Sequence, residues 1–170
     1  IASRVTSFFP VGESSDLELG VSGMTGIHDP YHELRFWYGN VDFKYKWKRD
    51  SYTSWTIQGE GLFNRRDVAR VAGGSEPIST FGAYVSADHQ FQKVYSAGVR
   101  VDWSEAPYAS DDRAYGGAVW MGYYPVEETL ALRFQLQHMI TEAPTGGRTA
   151  VNTVALQVMF SLGPHRAHPF

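Results

Sequence analysis

Two histidines three residues apart, His165 and His168, have the plainest claim to chemistry in this chain, because neutral imidazole ligates zinc and other transition metals. Two ligands do not make a site, and the same pair also suits a polar tail that serves assembly or contacts a partner. His28, Asp29, His32 and Glu33 form a second cluster. Pro30 between the two histidines works against the helix that would bring them to one face, so a solvated loop is the simpler expectation. Arg65, Arg66 and Arg70 make a basic patch whose planar guanidinium forks suit phosphate oxygens, those of lipopolysaccharide included. For nucleophilic catalysis the nearest candidates are His138 and the Asp111-Asp112 pair, and no nucleophile with a paired base can be picked out around them. The chain also lacks a Gly-rich phosphate loop and a dinucleotide fingerprint. An enzyme is not expected.

Composition narrows the class further. Without Cys, neither a disulfide framework nor a Cys-based zinc site is available. The formal net charge is only -3 and the 15 Lys and Arg are scattered, which removes the electrostatic footprint of a nucleic-acid binder. Aromatic residues at 15% together with 17 Gly describe a β-rich, turn-rich single domain over residues 1–170. No apolar run approaches the roughly 20 residues of a membrane-spanning helix, and a barrel needs none because its strands are half polar. The chain opens at Ile1 with neither a signal peptide nor an initiator Met, so a processed product or a piece of a longer protein is expected.

What would position these groups is an alternation of period two, recurring between turns from residue 16 to residue 162. In 149–162 the even positions include Ala150, Val154, Leu156, Val158, Phe160 and Leu162, while the odd ones include Thr153, Gln157 and Ser161. Successive side chains of a strand point to opposite faces, so each such stretch reads as a strand between an apolar and a polar medium. Eight stretches qualify: 16–24, 36–47, 53–63, 80–91, 94–103, 114–124, 129–140 and 149–162. Most run about 9–14 residues, against about 5–6 in soluble sheets and about 9–11 for a tilted bilayer crossing. The connections 48–52, 92 and 125–128 are short, whereas 25–35, 64–79, 104–113 and 141–148 are longer. Short periplasmic turns and longer external loops are the mark of outer-membrane barrels, and on that reading the last strand ends in the periplasm.

The oily parity collects Leu17, Leu19, Val21, Val41, Phe43, Tyr45, Ile57, Phe81, Val85, Phe91, Val99 and Val101. Aromatics gather at its ends: Trp37 with Trp47, Trp55 with Phe63, Tyr95 with Trp103, and Tyr115 with Tyr123. These pairs lie about 8–10 residues apart, as two interfacial girdles require. The opposite parity holds Glu18, Asp42, Lys44, Lys46, Glu60, Asp88, Arg100, Asp102 and Arg133, nearly balanced in charge. Unpaired in lipid these groups would be costly, but lining a lumen they can pair with one another or meet water. Residues 114–124 are the ambiguous stretch, since neither of their faces is clearly polar. A soluble barrel with the same alternation turned inside out competes with this reading. Strand length, loop asymmetry and paired aromatics favour the membrane.

The expected fold is therefore all-β, a transmembrane antiparallel up-and-down β-barrel. Eight strands would close a small barrel filled by side chains. Residues 4–9, followed by the turn-like 10–15, read as a ninth strand, and since single-chain bacterial barrels are normally even, a ninth points to more barrel than these strands make. The ending, Met159-Phe160-Ser161-Leu162-Gly163-Pro164-His165-Arg166-Ala167-His168-Pro169-Phe170, resembles that of Gram-negative outer-membrane proteins described as zinc-regulated, TonB-associated or porin-like. Their last strand finishes in Ser-Leu-Gly-x-His-x-Ala-His-x-Phe. Ser14-Ser15-Asp16-Leu17-Glu18-Leu19-Gly20 is similar to an internal turn and strand of the same, considerably longer, proteins. The resemblance implies the C-terminal portion of a larger barrel in the outer membrane, with 163–170 as a periplasmic tail. Phe170 is similar to the terminal signal read by the barrel-assembly machinery, although Pro164 and Pro169 interrupt the alternation before it.

The expectation for function is porin-like passage of small solutes. The alternatives are a small closed barrel with a structural or adhesive role through its loops and, more distantly, a rim enzyme. Expected partners are outer-membrane lipids, lipopolysaccharide, the assembly machinery and a periplasmic or outer-membrane protein, with no nucleic acid. No cofactor is expected beyond the option of zinc at His165 and His168.

Overall fold

The computed structural model describes residues 1–70, 73–126 and 129–160. Nine antiparallel strands follow one another in a single sheet whose spatial order is the chain order. They are β1 (Ala2–Pro10), β2 (Ser15–Asp29), β3 (Leu34–Lys48), β4 (Ser54–Ala69), β5 (Ser75–Phe91), β6 (Tyr95–Ala106), β7 (Ala109–Val126), β8 (Leu130–Glu142) and β9 (Arg148–Phe160). Each of the eight alternating stretches falls on a strand, with 53, 94 and 129 one residue ahead of theirs, and residues 4–9 lie in a ninth. Positions 161–162, expected to finish the last strand, are outside the described residues.

Register keeps every oily position on one face. Leu19 opposes Phe43, Phe43 opposes Gly59, Gly59 opposes Val85, Val85 opposes Val101, and Val101 opposes Gly117, so one row of apolar or small residues crosses from β2 to β7. A slip of one residue in any pair would turn that strand's apolar set over, and the alternation therefore fixes the register.

The long connections expected at 25–35, 64–79, 104–113 and 141–148 are not loops. Strand pairing continues through most of them: β2 runs to Asp29 and β3 starts at Leu34, β4 runs to Ala69 and β5 starts at Ser75, and only 107–108 and 143–147 separate β6 from β7 and β8 from β9. At the opposite end 11–14, 49–53 and 92–94 are of similar length. The asymmetry lies in the strands instead. β4 runs six residues past Phe63 and β5 starts six before Phe81, whereas β3 stops one residue past Trp47. Backbone pairing needs no apolar face, so a polar hairpin can extend where hydrophobic patterning has already ended.

Burial is inverted relative to a sheet packed on an oily core. Among the described residues the buried side chains include Ser96 at 2% exposure, Thr80, Ser86 and Asn40, while Val101 and Leu156 are 62% and 73% exposed. The total accessible surface is 11856 Å², whereas a folded monomer of this mass is expected to expose about 8,400 Å². The excess comes from an apolar face that nothing covers and from β1 and β9, which are exposed along their whole described length.

Candidate functional site

The nine charged residues singled out from the alternation share one face. Glu18 opposes Lys44, and Asp42 opposes Glu60, which opposes Tyr84, which in turn opposes Asp102. Lys46 opposes Thr56, Thr56 opposes Asp88, Ser86 opposes Arg100, and Arg133 faces Gly122. Several of them meet partners. Arg4 on β1 reaches Asp42 at 2.9 Å, and Arg100 donates from Nε to Asp102 Oδ1 at 2.6 Å. Asn40 donates to Glu60. The Arg100 guanidinium lies 4.3 Å over the Tyr84 ring, and that of Arg133 lies 4.4 Å over Trp120. Lys44, Lys46 and Glu18 form no ion pair among the described residues.

One of these contacts and a further one at Asp88 bridge strands that are not neighbours. Arg4 and Asp42 meet across β2, where a Cβ at Gly20 would overlap the Asp42 carboxylate. Trp120 on β7 lies over Gly98 on β6 and donates its indole N–H to Asp88 Oδ2 on β5 at 2.7 Å. Side chains two strands apart can meet in this way on the inside of a curved sheet, provided the strand between them carries no side chain at that point. This explains the ambiguous stretch 114–124: its polar-side aromatic, Trp120, is consumed in a hydrogen bond. Sequence reasoning missed Arg4 and Trp120, because each bonds a residue two strands away, and Gly20 and Gly98, because their role is to leave room for those bonds.

Polar atoms on this face remain without protein partners. Asn40 Oδ1, Asp42 Oδ2, Asp102 Oδ2 and Arg133 Nε are buried and unbonded within the described residues. Such atoms are tolerable where water reaches them and costly where it does not. The face combines carboxylates on β2 to β6 with guanidiniums on β1, β6 and β8.

The opposite face carries all eight of the aromatic residues expected at the girdles. Trp37 stacks edge-on against Phe63 at 5.7 Å, and Trp47 opposes Trp55 in register. Trp103 opposes Tyr115, and the Tyr115 hydroxyl donates to Glu142 at 2.7 Å. A second line runs Trp55, His89, Phe91, Tyr95, Tyr123, each ring stacked on the next at 4.3 to 5.7 Å. His89 was not anticipated in it, and its odd parity between Ala87 and Phe91 was the available signal.

The two lines slope across the strands. Tyr115 traces back in register through Trp103, Ala83 and Gly61 to Val41, four residues along β3 from Trp37. With about 3.4 Å per residue and 4.8 Å per strand, that drift over four strand steps is a tilt of about 35°. The lower line, from Trp47 to Tyr123, drifts two residues, or about 20°. Strands in transmembrane barrels tilt by about 35–45°.

The candidate ligand clusters come apart. His28 Nε2 meets the Asp67 carbonyl at 2.9 Å, while His32 Nδ1 meets Asp29 Oδ2 at 2.8 Å, and no group of three metal-binding side chains occurs among the described residues. The basic patch is also divided. Arg66 turns to the polar face, where it stacks 4.5 Å over Tyr108, Arg70 pairs with Glu76, and only Arg65 stays on the apolar side. Nor do Asp111 and Asp112 lie in a loop, since both fall within β7. His138 lies on the apolar face, bonded to Asn152 at 2.7 Å. The tail 163–170, with His165 and His168, lies outside the described residues.

Comparison with known proteins returns no matching family model, no similar curated protein and no similar solved structure.

Proposed function

We propose that this chain forms wall of a porin-like β-barrel in the outer membrane of a Gram-negative bacterium and lines a passage for small hydrated solutes. The observation that carries the reading is the inversion of the two faces: an apolar surface bounded by two aromatic lines backs onto a wall of carboxylates, guanidiniums and amides. Eight to ten residues between the lines, at the tilts of about 20–35° that the two lines give, span about 22–32 Å, a range that includes the roughly 25 Å apolar band of such barrels. In water that surface would be a large exposed hydrophobic patch, whereas in hydrocarbon it needs no cover.

Strand direction bears on closure. With nine alternating strands β1 and β9 run the same way, so an antiparallel barrel takes an odd number of further strands between them. The width this adds supports a passage over a filled core, and the resemblance of the tail to longer barrel proteins points the same way. The hairpins that run past Trp37 and Phe63 are then the external end.

Planar-bilayer recording on the native protein tests the proposal. Stepwise ionic conductance is expected. Folded, inserted protein that passes no ions would overturn the conduit and leave a structural wall.

A further inference from the structure

We propose that the apolar face of β2 to β5 holds a phosphorylated lipid of the outer leaflet, its phosphate on Arg35 and Arg65 and an acyl chain in the groove below; this rests on the membrane reading above. Arg35 lies two residues beyond Trp37 on β3, and Arg65, two residues beyond Phe63 on β4, opposes Trp37 in register. Both arginines are exposed, and both have the parity of the apolar face. They are diagonal neighbours, a relation that puts two backbones about 7–8 Å apart and lets long side chains converge.

Among the described residues neither guanidinium is in an ion pair, whereas Arg4, Arg70, Arg100 and Arg148 all are. Asp67, which flanks Arg35 on this face, accepts the Arg35 backbone N–H through Oδ2 at 3.3 Å, and one carboxylate against two guanidiniums leaves the pair net positive. Two free planar forks at the level of an aromatic line match a phosphate, which accepts paired hydrogen bonds from guanidinium.

Directly below Trp37 and Phe63 the same face is hollowed into a groove of about 420 Å³ lined by Leu19, Val41, Phe43, Gly59, Gly61 and Val85. Its depth comes from the glycines. Gly59 is overlain by Phe43 and Val85, with which a Cβ would collide at 2.7 and 2.8 Å, whereas a Cβ on Gly61 would sit at ordinary contact distance from Val41 and Phe81, at 3.6 and 3.8 Å, so the notch at Gly61 has room for a side chain. Head and tail sites thus stand one above the other along the strand direction, as they do in a lipid. The rest of the rim differs: Arg113 on β7 lies between Glu105 and Glu142 in register, which would repel an anionic head.

Native mass spectrometry of the folded protein, titrated with phosphatidic acid and with phosphatidylcholine of the same acyl chains, tests the site. At least a tenfold preference for phosphatidic acid is expected. It should vanish in the Arg35→Gln, Arg65→Gln double variant, persist in Arg113→Gln, and weaken in Gly61→Leu, where the head site is intact and the groove is filled. Equal binding of the two lipids by the native protein would overturn the proposal, as would a preference that survives the double variant or displacement of the lipid by equimolar inorganic phosphate. Insertion into vesicles, measured beforehand by protease protection, separates the two readings. Failure to insert sinks the membrane reading and this site with it, while insertion without phosphate preference sinks the site alone.

Discussion

The two faces of the sheet hold their side chains by opposite rules. On the apolar face contacts run between neighbours within a row: ring on ring from Trp55 to Tyr123, aliphatic beside glycine from Leu19 to Gly117. Between the two aromatic lines, from β3 to β7, these rows are of apolar or small residues and carry no charge. On the polar face charge is welcome but shape is not free, because Arg4 and Trp120 reach their carboxylates only over glycines. One surface selects for chemistry, and the other for space.

Adjacent residues of β8 give the sharpest way to break this contrast. Leu136 is on the apolar face and Gln137 on the polar one, so the same new cation tests both media one position apart. Leu136→Arg is expected to cost about 2–4 kcal/mol in equilibrium folding into lipid vesicles, the penalty of a cation at mid-bilayer on a barrel exterior. Gln137→Arg should stay within about 1 kcal/mol of the native protein. Equal costs would mean that both sides of this strand meet the same medium.

The demand for space is tested at Gly98. Gly98→Val must push the Trp120 indole off Asp88, stranding a half-buried carboxylate, and should cost about 1–2 kcal/mol with a red shift in tryptophan emission. An unchanged spectrum and unchanged stability would show that the bridge across β6 is dispensable.

The smallest effect belongs to neither face. In the turn after β3 the Tyr52 amide donates to Asp50 at 2.7 Å, and this bond, helped by the Thr53 amide and the Arg49 charge, holds the Asp50 carboxyl below its ordinary value. A carboxyl lowered on folding favours the folded state above its unfolded value and loses that contribution as pH falls through the folded one. The contribution should therefore be intact at neutral pH and fade below about pH 4, in the usual range of Asp. Comparing the folding midpoints of the native protein and Asp50→Asn between neutral and acid pH checks this: the gap should close as pH drops, and a constant gap would refute it.

The parity of the strands was legible in the sequence because burial of any kind, inside out or not, imposes a period of two. The eight girdle aromatics and nine wall charges could accordingly be sorted by face without coordinates. Hairpin extent was not legible, since beyond Phe63 the chain pairs through its backbone while its side chains carry no apolar signature. The bridges were hidden for another reason. Glycine at 98 or 20 reads as a weak spot in a strand, and its purpose is set by a tryptophan or an arginine on a different strand. The split of Arg65 from Arg66 follows from alternation alone, and treating the segment as a loop obscured it.

The hairpins that continue past the aromatic line have a mechanical consequence. β4 and β5 stay in register from Ser54 opposite Gln90 to Ala69 opposite Ser75, one unbroken ladder from wall to tip. Whatever grips that tip pulls on a stiff post rooted in the sheet, not on a slack tether, so the load passes lengthwise along the rungs and is felt at once by the neighbouring strands.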